Sequence, residues 1–82
     1  MTPRQLTALQ TLKKAGTSLR NSGNPVVADA CGFVSRAVAS FESGSEVLPE
    51  RTRKAVVAIQ GCGGLKDKTK RKLIEALSLL LT

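Results

Sequence analysis

For chemistry this 82-residue chain has thirteen lysines and arginines, six carboxylates, two cysteines and no histidine. Without histidine it lacks the side chain that ordinarily titrates near neutral pH, and neither Cys31 nor Cys62 has an imidazole to activate its thiol. The six acids are scattered and form no obvious pair for general acid–base work. The two cysteines do not sit in a metal-ligand pair and are too few for a disulfide framework, so both are expected reduced, in keeping with a cytoplasmic protein. Neither catalysis, a metal nor a cofactor is expected. What remains is attraction for anions. A formal net charge of +7 favours nucleic acid, an acidic protein or an anionic membrane surface. The aromatic residues are Phe33 and Phe41 alone, which gives little support to base stacking on aromatic platforms.

The charge is uneven. Residues 1–23 carry four bases and no acid, residues 24–48 one base and three acids, and residues 49–82 eight bases and three acids. The elements that must position these groups read as helices in a single domain, 1–82, an all-α bundle of four to five short helices. "TPRQ" offers Thr2 as N-cap, Pro3 at the first helical position and Gln5 reaching back. Leu6, Leu9, Leu12, Ala15 and Leu19 then line one face, and the helix is expected to end between Gly16 and Asn21. "NSGNP" stops one helix and caps another through Asn24 and Pro25. After a second break from Ser43 to Pro49, Ala55, Val56 and Ile59 form a short apolar stripe. "GCGG" ends it and reads as a flexible hinge. The last helix begins near Asp67, runs to about the end of the sequence, and is expected to bury Leu73, Ile74, Leu77, Leu80 and Leu81. No strand-like alternation competes. No stretch approaches the ~18 apolar residues of a membrane span.

Residues 24–44, "NPVVADACGFVSRAVASFESG", admit two readings. With a helical period, Val27, Cys31, Val34, Val38 and Phe41 make one stripe of a single long helix. Alternatively the helix stops at Gly32, turns through Phe33 and restarts near Val34. A helix-turn-helix over about 24–43 needs a small contact residue, a glycine in the turn and apolar locking positions. Ala28, Gly32, and the set Val27, Cys31, Phe33, Val38 and Phe41 would supply them. Five of these positions are apolar under either reading, so Ala28, Gly32 and Phe33 carry the distinction.

With "FESG" following and Pro49 opening another helix, the stretch resembles the lambda-repressor-like (Cro/repressor type) helix-turn-helix family of phage, plasmid and bacterial regulators. The resemblance covers about residues 24–60. It implies a small, sequence-specific regulator of transcription on double-stranded DNA. A second motif helix of about Val34 to Ser43 would enter the major groove, with Ser35, Arg36 and Ser40 at its outward, base-facing positions. Because the motif segment is itself net acidic, phosphate contacts would fall to Arg4, Lys13, Lys14, Arg20, Arg51, Arg53 and Lys54 around it. Val34, outward in the motif, would be core in a continuous helix. Gly32→Ala is expected to destabilise a true turn and to be neutral or stabilising in a continuous, loosely packed helix.

"LKDKTKRKL" places Lys66, Lys68, Lys70, Arg71 and Lys72 at a helix start, where the backbone already carries partial positive charge. Either an anionic partner such as DNA phosphate offsets this, or the cluster is simply solvated. The leucines of "LIEALSLLLT" serve core closure or a homodimer through the C-terminal helix. The rival reading is a helical protein-interaction module, an inhibitor or adaptor that docks on an acidic protein through its basic face. A third is a cationic, membrane-disrupting peptide.

Overall fold

A computed structural model describes residues 2–81, and among them the chain is all-helical, without strands. Four helices follow in order: α1 (Pro3–Arg20), α2 (Pro25–Ser43), α3 (Leu48–Gln60) and α4 (Asp67–Leu79). The start of α1 is the reciprocal cap read from "TPRQ": the Gln5 backbone N–H donates to Thr2 Oγ1 at 3.1 Å, and the Thr2 backbone N–H donates to Gln5 Oε1 at 3.0 Å. Asn24 starts α2 by accepting the Val26 N–H on Oδ1 at 3.0 Å. Gly44 ends that helix in the left-handed region, at φ 67°. There the Ser45 N–H reaches back to the Ser40 carbonyl at 2.9 Å, a closure that favours a residue without Cβ.

Of the two readings of residues 24–44, the structure takes the continuous helix, and the expected turn at Gly32 does not form. Among the described residues the glycines at positive φ are Gly23 and Gly44, so Gly32 lacks the left-handed backbone that such a turn uses. Burial explains the outcome. Val27, Ala30, Cys31, Val34, Ala37 and Val38 are all buried at helical spacing on one uninterrupted face, whereas a break at Gly32 would rotate Val34 out of it. At about 25 cal/mol per Å² of apolar surface, one buried valine outweighs the roughly 1 kcal/mol that a mid-helix glycine costs against alanine.

The helices pack as a ring, α1 on α2, α2 on α3, α3 on α4 and α4 on α1. Helix α1 runs against both of its neighbours: Lys13 meets Glu42 and Arg20 meets Ser35 across α1–α2, while Gln5 meets Leu79 across α1–α4. Leu9, Leu12, Val34, Ala55, Ile59, Leu73, Leu77 and Leu80 belong to the main core. Val27, Ala30, Cys31 and Cys62 form a second cluster beneath the α3–α4 connection.

Three further expectations need correction. Leu6 and Leu81, placed in the core by periodicity, are 48% and 50% exposed, because each falls at the end of its stripe, beyond the layers the neighbouring helices cover. Helix α4 stops at Leu79 instead of continuing to the end of the sequence. The "GCGG" segment is no loose hinge: Cys62 is buried, and a Cβ on Gly64 would come within 2.6 Å of Asn24 Nδ2 and 2.7 Å of Val27 Cγ2. Gly64 is therefore required by close packing on the start of α2. Gly32, by contrast, has open space where its Cβ would be.

Candidate anion-binding groove

On α1 the residues beside the apolar stripe alternate three and four apart: Arg4, Thr7, Thr11, Lys14 and Ser18. That spacing puts them on one flank, and the ring arrangement turns the flank toward α4. Helix α4 answers with Lys68, Thr69, Lys72 and Glu75. The two edges enclose an open groove. One part, of 560 Å³, is lined by Thr11, Lys14, Ser18, Lys68, Thr69 and Lys72 over a floor of Ala15, Leu19 and Leu73. The adjoining part, of 420 Å³, is lined by Pro3, Arg4, Thr7, Thr11, Lys72, Glu75 and the apolar Ala8, Ala76 and Leu79. The Gln5 Nε2 group donates to the Leu79 carbonyl at 3.3 Å, tying the helices together at one end of the groove.

Among the described residues, the four cations of this groove lack carboxylate partners. Among the described residues the ion pairs are Lys13–Glu42 at 3.0 Å and Lys54–Glu50 at 3.4 Å, both elsewhere. Glu75 is the sole acid on the groove walls. Lys68 lies in the first turn of α4, where the helix dipole adds partial positive charge, so an anion bound there meets ammonium groups, hydroxyl donors and the dipole together. From Arg4 to Ser18 the wall extends about 21 Å, the axial rise of roughly six base pairs.

The other basic residues assigned to phosphate are dispersed. Lys13 is held by Glu42, and Lys54 by Glu50. Arg20 Nη2 donates to Ser35 Oγ at 3.0 Å. Lys70 Nζ donates to the Gln60 carbonyl at 3.1 Å, neutralising the negative end of α3 and so acting as a cap. Arg51, Arg53, Lys66 and Arg71 are exposed. The lysine-rich start of α4 is thus divided among faces, and Lys68 and Lys72 alone of its bases line the groove.

The trio expected to face bases does not share a surface. Ser35 is half-buried and engaged by Arg20. Arg36 is exposed, with its guanidinium 5.4 Å from the centre of the Phe33 ring. Ser40 is 3% exposed, a correction with the same cause as the missing turn: in an unbroken helix it rides beside Ala37 on the covered side. The remaining motif positions are scaffold. Val27, Cys31 and Val38 are buried, while Ala28, Gly32, Phe33 and Phe41 are half-buried in α2.

Both cysteines are free and buried. Burial pushes the Cys31 thiol up from its ordinary value, Arg20 opposes this and Cys62 adds to it, so the thiol is held protonated and poorly nucleophilic. Among the described residues, no group of three or more His, Cys, Asp or Glu could hold a metal ion, and no helix is long and apolar enough to cross a membrane.

The hydroxyls Thr7, Thr11, Ser18 and Thr69 were not among the residues singled out from the sequence. Their signal is the polar stripe Arg4–Thr7–Thr11–Lys14–Ser18, visible once the flank of the helix is read as carefully as its apolar face. No protein family, curated protein or solved structure shows a match to this chain.

Proposed function

We propose that this protein binds double-stranded DNA through its phosphate backbone, seated along the α1–α4 groove, without reading base sequence. The observation that carries this reading is the gathering of Arg4, Lys14, Lys68 and Lys72, unpaired with carboxylates among the described residues, beside the hydroxyls of Thr11, Ser18 and Thr69, while Thr7 Oγ1 donates to the Pro3 carbonyl at 3.0 Å. Lysine, arginine, serine and threonine are the side chains that contact phosphate and fix register on a duplex. With Ser35 and Ser40 withdrawn and Arg36 laid on Phe33, α2 offers no row of base-reading groups. The scarcity of aromatics favours duplex over single strands. Two free, buried thiols fit a reducing, cytoplasmic setting.

Fluorescence-anisotropy titration of random duplex DNA at low and moderate salt tests the proposal, with wild type beside the Lys14→Glu/Lys68→Glu/Lys72→Glu variant. Wild type should bind with steep salt dependence, and the variant should lose most of that affinity and slope. Absence of binding at low salt, or equal binding by the variant, would sink it. Tighter binding of poly-glutamate than of DNA would reassign the groove to an acidic protein.

A further inference from the structure

Opposite the α1–α4 groove in the ring lies the α2–α3 seam, which carries a different surface. Val57 is 62% exposed on α3. With half-buried Phe33 and Ala58 it lines an apolar depression of 560 Å³ whose remaining walls are Arg53 and Lys54. Arg36 covers the Phe33 ring from the α2 side. Apolar centre, aromatic anchor and arginine rim are the composition of protein-interface hot spots. Lys54 is engaged by Glu50, and Asp29 stands one turn before Phe33 on α2, yet Arg36 and Arg53 are without carboxylate partners and leave the rim net positive. A second copy of this chain would bring the same cations together around the same apolar centre. Like-charge repulsion disfavours that pairing.

We infer that the α2–α3 seam docks an acidic amphipathic helix from another protein. Its apolar side chains enter the depression between Phe33, Val57 and Ala58, and its flanking carboxylates meet Arg36 and Arg53. Spacing of three or four residues between apolar anchors suits a helix laid along such a seam. Because the seam lies across the bundle from the α1–α4 groove, this docking is independent of the DNA-binding reading.

The test selects displayed random helical peptides of about four turns on the intact chain, then measures the enriched peptides on wild type and on Val57→Asp. Val57 is exposed, so the change leaves the core untouched, and an unchanged circular-dichroism melt verifies the fold. The expected result is enrichment of peptides with apolar anchors three or four residues apart flanked by Asp and Glu. Their affinity should fall at least about tenfold on Val57→Asp, or about 1.4 kcal/mol, while duplex DNA neither competes nor changes in affinity. No enrichment, enriched peptides without acids, equal binding to Val57→Asp, or competition by DNA would each overturn the inference.

Discussion

Helix α1 meets α2 along one flank and α4 along the other, and its cations fare differently on the two. Toward α2, Lys13 finds Glu42 at 3.0 Å, so its charge is answered within the fold, and Arg20 hydrogen-bonds to the Ser35 hydroxyl at 3.0 Å. Toward α4, Arg4 and Lys14 face Lys68 and Lys72, and only Glu75 offers a negative group. Folding alone gains nothing from that second arrangement, since like charges across a seam repel. The contrast teaches that net charge is a poor locator of function. A cation answered inside the molecule supports the scaffold, while unanswered cations gathered on one surface, as along α1–α4, suit an outside anion.

The largest effect expected from this contrast is on binding. Reversing Lys14, Lys68 and Lys72 together should lower duplex affinity about a hundredfold at low salt and reduce the salt slope by about three contacts, whereas Lys13→Glu/Arg20→Glu on the other flank should do much less. Equal losses from both variants, measured in parallel titrations, would erase the distinction between flanks. Next in size is the close approach of Gly64 to the start of α2: Gly64→Ala should destabilise the fold by about 1–3 kcal/mol in urea denaturation, as overpacking does. Gly32→Ala should instead stabilise by about 0.5–1 kcal/mol, because its Cβ meets open space inside a regular helix. Duplex affinity should be unchanged by it, and a loss of stability would restore the turn. The smallest effect belongs to Lys13–Glu42. Both side chains are about half exposed, so a double-mutant cycle should return only about 0.2–1 kcal/mol of coupling.

Helix number, caps and most core positions were legible in the sequence, because capping residues and apolar periodicity are local signals. The Thr2–Gln5 reciprocal cap, the Asn24 cap and the burial of Leu73, Leu77 and Leu80 follow from them. At Gly32 two local descriptions were nearly equal in merit, and only the burial of Val34 by the rest of the bundle decides between them. Local pattern likewise said nothing of Gly64, whose role comes from Asn24 and Val27, some forty residues away in sequence. The groove was legible in half: its bases were counted, but sorting them by flank requires knowing which neighbour α1 faces on each side.

The groove joins the first helix to the last, and this gives it a place in time as well as in space. Its walls are separated by some fifty residues of sequence, so they meet only after the longest loop in the molecule has closed, which is the slowest class of contact to form. A nascent chain that has not yet released α4 holds half a wall and no cleft. On the proposed function, affinity for a polyanion would therefore arise only as the ring closes. A polyanion bound across the α1–α4 seam would also oppose its reopening.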